Sequence, residues 1–263
     1  MIVDRYDAVL FDLDGVLYRG ERPIAGAADV VAAVRRAGKA VAFVTNNSAR
    51  TRADVVAHLA SVGIEVSEGE VVTSGLVTAA TLRARGTSTA FVIGEGGLRA
   101  AIEAEAIVVL DDAAGGGGRV ADAVVVGWDR RATYDSLRRA SAHVQRGAAL
   151  VATNADATFP AADGTLWPGA GALLAAIVTT TGAEPLVIGK PHAPLLEAAL
   201  AAAGGGRPLV VGDRMDTDIA GARGLRWDSM LVLTGVSTRD DLRTAGFAPT
   251  YLSDDVGLLV EPD

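Results

Sequence analysis

The sequence predicts an α/β protein built on parallel sheet, on three observations. Short β-rich apolar runs alternate with stretches of helical periodicity along the chain. Strand, helix, strand repetition makes crossovers, and crossovers build parallel sheets. Four of the apolar runs also end in polar residues, which is where such sheets place ligands, outside the carboxyl ends of the strands.

Taken in order, Ala8–Phe11 is a continuous apolar run that ends in the paired acids of LFDLDG (10–15). Ala27–Arg36 repeats its apolar residues at helical spacing, and Ala40–Val44 is a second strand, closed by FVTNNS (43–48). Thr89–Ile93, Ala123–Val126 and Ala149–Ala152 are further β-rich runs, with the helical stretch Thr133–Gln145 between the last two. Leu186–Ile188 passes into VIGKP (187–191), ahead of the helical stretch Ala193–Ala202. Pro208–Val211 ends in VVGDRMDTD (210–218), and Ser229–Leu233 is the last of the runs.

Composition narrows the function classes. A chain of 263 residues has room for one large α/β domain or two modest ones, and for a sizeable core. Half the residues are hydrophobic, yet no stretch reaches the roughly 18 unbroken apolar residues of a membrane span, so no membrane partner is expected. Residues 1–7, MIVDRYD, carry two acids and lack the basic and then apolar order of an export signal, which makes cytoplasmic residence the default expectation. The absence of cysteine excludes disulfides, thiolate nucleophiles and Cys-bound zinc; His58, His143 and His192 leave little for a multi-histidine metal site. A formal charge of −8 argues against a nucleic-acid partner and leaves small anionic metabolites open.

Asp12 and Asp14 are two apart at a strand end, so their carboxylates point the same way. At ~5 Å and an effective dielectric of ~20 they repel by roughly 3 kcal/mol. Either one stays protonated or a hard cation such as Mg²⁺ sits among oxygen ligands, and the second suits a site with several acids and no soft ligands. Asp213 ends another apolar strand and can supply a further oxygen; the bland reading of the first pair is a turn, since Asp14–Gly15 after a strand is also an ordinary one. Thr45 offers a hydroxyl, and Asn46 and Asn47 bring amides just ahead of a new helix, a pattern suited to phosphate oxygens; capping of that helix by Asn47 or Ser48 explains the same residues. An ammonium at Lys190 would balance the acids and a phosphoryl charge. Asp216 and Asp218 fall in the first turn of a following helix, where acids are favourable whatever the function.

Together and in this order, DLDGV, VTNNS, GKP and GDRMDTD resemble the four motifs of the haloacid dehalogenase superfamily of aspartyl-phosphate phosphatases. The resemblance implies a Rossmann-like parallel-sheet core and a two-step phosphoryl transfer. In it Asp12 is the nucleophile and Asp14 the general acid and then base. Mg²⁺ is held by the Asp12 carboxylate, the Asp14 backbone carbonyl and Asp213, with Asp218 orienting that shell from outside. Thr45, the Asn46 backbone N–H and Lys190 hold the phosphoryl oxygens.

Spacing adds a second domain. Thr45 follows Asp14 by 31 residues, which one flap and one helix fill, whereas Lys190 follows Thr45 by 145, far beyond a single crossover. The expected organisation is a discontinuous core, 1–76 and 184–263, with an α/β cap inserted at 77–183. This cap, with ATNADATFP (152–160) and LWPGAGAL (166–173), resembles that of the NagD and p-nitrophenylphosphatase branch. The branch includes phosphatases for phosphoglycolate, glycerol phosphate, nucleoside monophosphates and pyridoxal phosphate. A small phosphorylated metabolite is therefore the expected partner, with glycerol 3-phosphate or phosphoglycolate preferred and a nucleotide or pyridoxal phosphate as alternative; a non-catalytic ligand-binding member of the fold is the rival reading. Caps of this branch often mediate dimers, so a homodimer is the family expectation. Asn154, Asp156 and Pro160 lie in the segment that resembles the leaving-group loop, or form a turn; Ala155 stands where the family often has proline. GGGG at 115–118 reads as a flexible connector. Arg214 either contacts substrate or pairs with Asp216; His192 caps a helix, His58 and His143 sit on helix faces, and Trp128, Trp167 and Trp227 pack.

Overall fold

The structure, a computed structural model, describes residues 1–111, 119–160 and 165–262, so the glycine run at 115–118 lies outside the described residues. In chain order the elements are β1 (Ala8–Asp12), the two-residue strands β2 (Tyr18–Arg19) and β3 (Arg22–Pro23), α1 (Ala27–Arg36), β4 (Ala40–Thr45), α2 (Arg52–Ser61), β5 (Val71–Thr73), α3 (Ser74–Ala84), β6 (Thr89–Ile93) and α4 (Gly96–Ala104). They continue with β7 (Val108–Val109), β8 (Ala123–Val126), α5 (Tyr134–Gln145), β9 (Ala149–Ala152), β10 (Thr158–Pro160), β11 (Leu166–Pro168), α6 (Ala170–Thr181) and β12 (Leu186–Val187). The last stretch holds α7 (Ala193–Ala202), β13 (Pro208–Gly212), α8 (Ala220–Gly224), β14 (Asp228–Val232), α9 (Arg239–Thr244) and β15 (Tyr251–Ser253).

Two compact units divide the chain. One comprises Met1–Thr45, Arg52–Val72 and Lys190–Asp263; the other comprises Asn46–Thr51 and Thr73–Gly189. Relative to the expected insertion at 77–183, the second unit starts at Thr73, runs to Gly189 and takes in 46–51. Side chains explain the additions: Ser74 Oγ and Asn154 Nδ2 donate to Asn46 O at 2.6 and 2.8 Å, and Gly97 N–H donates to Ala49 O at 3.0 Å.

The first unit is organised by a sheet of order β15-β14-β13-β1-β4-β5, with parallel pairing from β15 through to β4. Its centre is apolar on both faces, as a doubly covered parallel sheet requires: Ala8, Val9, Leu10 and Phe11 are fully buried. Phe11 is in register with Phe43 on β4, and the rings stack at 6.1 Å. Residues 13–26, between β1 and α1, carry the β2–β3 hairpin. His58 sits on a face of α2, and that face is buried: its Nε2 lies 2.9 Å from Gly20 O at the hairpin tip and the Tyr18 ring packs edge-on at 4.4 Å.

The second unit has its own parallel sheet, β12-β9-β8-β6-β7, and the antiparallel pair β10–β11. Thr133 caps α5 by accepting from Ser136 N–H at 3.1 Å, while Ser136 Oγ returns a bond to Thr133 N–H. His143, on a face of α5, is likewise buried, and its Nδ1 accepts the Ala121 N–H at 3.2 Å. Trp128 packs as expected, stacked on Phe159 at 4.1 Å; Trp167 stays 42% exposed. No helix among the described residues is long and apolar enough to cross a membrane.

Candidate active site

Strand order gathers the polar strand ends of the first unit. β13, β1 and β4 are parallel neighbours in space although β13 comes late in the chain, so their carboxyl ends emerge side by side. Asp12 ends β1, Thr45 ends β4 and Asp213 directly follows β13. The sheet reverses its winding at β1, where ligands of open α/β sheets bind.

Asp12, Asp213 and Asp218 each present a carboxylate oxygen, and these lie within 4.8 Å of one another. Lys190, which begins the segment after the second unit, enters the same cluster: its Nζ is 2.7 Å from Asp12 Oδ1 and 2.6 Å from Asp218 Oδ1. Asp218 comes from a wide helical turn, Met215–Ile219, in which Ile219 N–H reaches back to Arg214 O. It is fully buried, and its Oδ2 accepts from the Arg214 N–H at 3.1 Å. A favourable interaction with the helix dipole does not by itself account for the full burial of this aspartate. Asp213 Oδ2 accepts the Val236 N–H at 2.7 Å, whereas its Oδ1 is buried with no hydrogen-bond partner.

The cluster is short of positive charge. Three carboxylates face one ammonium in a dry environment, and the ionisation of each group responds. Burial, then the charges of Asp12 and Asp218, pushes the Asp213 carboxyl up to about 8. Burial likewise raises Asp218 to about 6, against the opposing pull of Lys190. For Lys190, burial alone would favour the neutral amine, but Asp12 and Asp218 outweigh it and hold the ammonium above its ordinary range. An orphaned buried oxygen among hard carboxylate donors, with no soft ligand nearby, fits a small divalent cation such as Mg²⁺.

Asp14 is exposed on the turn after β1 and is not one of the three acids so gathered; its backbone bridges to Tyr18. Thr45 is buried at the end of β4. Arg214 and Asp216 pair with each other, Nε to Oδ1 at 3.0 Å and Nη2 to Oδ2 at 2.7 Å. His192 stands exposed at the N-cap position of α7 and makes no side-chain capping bond there, so of capping and surface exposure the second describes it.

Within the second unit, Asn46, Asn154 and Asp156 form one network. Asn46 Nδ2 donates to both Asp156 oxygens at 3.2 and 3.4 Å, and the Asp156 N–H donates to Asn154 Oδ1 at 3.1 Å. Asn47 does not cap a helix: its Oδ1 accepts the Ala49 N–H at 2.8 Å in a local turn, and α2 starts only at Arg52. Sequence reasoning also passed over residues 234–237, TGVS, which follow β14 and surround Asp213; the signal was available, since this too is a polar step at the end of an apolar run.

Residues 9–107 match the haloacid dehalogenase-like hydrolase family, and residues 187–259 match a second, HAD-hydrolase-like family. An acid sugar phosphatase of Staphylococcus saprophyticus is 35% identical over 259 residues, 97% of each chain. The crystal structure of hypothetical protein PH1952 from Pyrococcus horikoshii superposes with a TM-score of 0.91 at 37% identity, covering 96% of this chain and 98% of that one. That of glycerol phosphate phosphatase Rv1692 from Mycobacterium tuberculosis, in complex with magnesium, gives 0.88 at 35% identity, covering 98% and 77%.

Proposed function

The chain belongs to the haloacid dehalogenase-like hydrolases, in the branch of NagD and the p-nitrophenyl phosphatases, and on that premise we propose that it hydrolyses a small phosphomonoester with Mg²⁺, through a phosphate ester of Asp12. The observation that carries this reading is the pairing of an excess of buried carboxylates with the unpartnered Asp213 Oδ1 beside Asp12.

Asp12, Asp213 and the Asp14 backbone carbonyl would hold the cation. When bound, it supplies charge that lowers the repulsion between nucleophile and phosphate. Lys190 orients Asp12 through the 2.7 Å contact, and its ammonium would balance the charge of the incoming phosphoryl group. A carboxylate oxygen of Asp12 forms a bond to phosphorus as the bond to the leaving alkoxide breaks. Asp14, as the carboxylic acid, gives that alkoxide its proton. It then takes a proton from water, whose oxygen bonds to phosphorus while the Asp12–phosphorus bond breaks; inorganic phosphate leaves and Asp12 is again a carboxylate. Exposure on a turn suits Asp14 to this exchange with solvent. The Thr45 hydroxyl and the Asn46 backbone N–H hold the equatorial oxygens. Asn154 and Asp156 act through Asn46, to which their hydrogen bonds run.

The names acid sugar phosphatase and glycerol phosphate phosphatase among relatives support a compact polyol or sugar phosphate, with glycerol 3-phosphate or phosphoglycolate tried first. Hydrolysis of p-nitrophenyl phosphate with Mg²⁺ or with EDTA, beside Asp12→Asn, tests the chemistry: turnover is expected only in the wild type with metal, and metal-independent turnover would refute it. A phosphomonoester panel ranked by kcat/KM then tests the substrate class.

A further inference from the structure

Gly15 is tied down at both of its backbone polar groups. Its N–H donates to Tyr18 O at 2.7 Å, and its carbonyl accepts from Thr234 Oγ1 at 2.6 Å. A trans peptide is planar, with its C=O and N–H pointing in opposite directions. Fixing the Gly15 N–H on Tyr18 therefore aims the Asp14 carbonyl the other way, away from the β2 strand. Rotation about Gly15 itself, whose φ is +85°, is blocked only if its own carbonyl is also held. Thr234 does that holding.

The same loop shapes Asp213. A Cβ on Gly235 would meet Asp213 Oδ2 at 1.9 Å, so only glycine lets the loop backbone close over this carboxylate. The next residue, Val236, donates its N–H to that Oδ2 at 2.7 Å, and the Ser237 N–H donates to Asp213 O at 3.0 Å. Oδ2 is thereby committed to the loop and Oδ1 is the oxygen left over. From the other side, the Arg19 guanidinium on β2 donates to Thr234 O and to Gly235 O. One loop thus holds a neighbour of each ligand atom, Asp213 Oδ2 beside Oδ1 and the Gly15 carbonyl next to that of Asp14.

We propose that Thr234 is a positioning residue for the cation site: its hydroxyl joins the turn after Asp14 to the loop that orients Asp213, so that the Asp14 carbonyl and Asp213 Oδ1 are held ready together. Thr234 touches neither substrate nor cation in this role, and the inference rests on the phosphatase reading above.

Mg²⁺ binding to the whole protein, followed by calorimetry without substrate, tests it alongside p-nitrophenyl phosphate kinetics. Thr234→Val keeps the side-chain shape and removes the donor. It is expected to weaken Mg²⁺ binding about tenfold or more, the usual cost of losing an outer partner of a metal ligand, and to raise the Mg²⁺ needed for half-maximal activity in parallel. Thr234→Ser restores the hydroxyl and is expected to bind Mg²⁺ within about threefold of wild type. Arg19→Ala, which frees the loop backbone from the hairpin and leaves the Thr234 hydroxyl in place, is expected to fall between them. A Thr234→Val protein of wild-type Mg²⁺ affinity, whatever its melting temperature, overturns the proposal and leaves the phosphatase reading standing. If Thr234→Val does not fold, Thr234→Ser binding Mg²⁺ as wild type while Arg19→Ala also does so overturns it. Failure of the wild type itself to bind Mg²⁺ overturns both.

Discussion

Lys190 Nζ lies 2.6 Å from Asp218 Oδ1, and the two side chains are 3% and 0% exposed. Breaking a buried pair by removing one partner leaves the other charge uncompensated, which typically costs about 3–5 kcal/mol. Lys190→Met is expected to lose about 3 kcal/mol of unfolding free energy and all measurable phosphatase activity. Adding Asp218→Asn should return part of that stability, because the second change removes a charge the first one stranded. Denaturant unfolding of the two single variants and the double checks this; strictly additive losses would show that the contact is not coupled.

The raised carboxyls give the cluster a defined pH response. Asp213 is pushed up to about 8 and Asp218 to about 6, both above the ordinary range, so the folded cation-free protein holds protons that the unfolded chain has already released. Stability from these groups is therefore full in acid and is lost as pH rises through about 6 and then about 8. Mg²⁺ must displace those protons, so the rise in melting temperature on adding Mg²⁺ should widen across that interval. Melting curves in EDTA and in Mg²⁺ over a pH series measure the gap; a gap independent of pH would contradict the assignment.

Asn46 and Asp156, 110 positions apart, meet in a charge-assisted hydrogen bond. Asp156→Ala removes the acceptor of the Asn46 amide, and Asn46→Ala removes that donor from the carboxylate. Each variant is expected to lower stability, with a coupling in the double-mutant cycle of about 1.5 kcal/mol. Thermal unfolding of the four proteins checks it, and zero coupling would leave Asp156 free for direct contact with a leaving group.

Much of this site could be read from the chain because its acids sit at the ends of continuous apolar strands, where a period of two and a sudden polar residue leave little ambiguity. The helices Ala27–Arg36 and Ala193–Ala202 end where their apolar spacing ends, and both are observed at those bounds. What escaped were relationships that depend on long-range pairing. His58 and His143 look like helix-face residues until the carbonyl of Gly20 and the amide of Ala121 are brought to them by other elements. Asp218 was legible only through the resemblance of GDRMDTD, since the helix dipole explains an acid in a first turn without requiring burial. TGVS at 234–237 is a polar step after an apolar run but carries no charged residue, and what its Thr234 hydroxyl and its backbone N–H groups hold shows only once β14 lies beside β13.

Gly15 separates backbone strain from displacement of a ligand. Its φ is +85°, and an added Cβ would also meet Asp213 Oδ2 at 2.4 Å and Gly235 Cα at 3.0 Å. Gly38 has a similar φ of +74° but open space where a Cβ would go. Gly38→Ala should therefore carry only the left-handed backbone cost of about 1–2 kcal/mol and retain wild-type kcat and Mg²⁺ affinity. Gly15→Ala carries that cost and must also move Asp213 or the loop above it, so its Mg²⁺ affinity is expected to fall by about tenfold or more. Unfolding curves and Mg²⁺ titrations of the two proteins, side by side, check this. Equal stability losses with Mg²⁺ affinity unchanged in both would mean that the turn after Asp14 is a scaffold and plays no part in aligning Asp213.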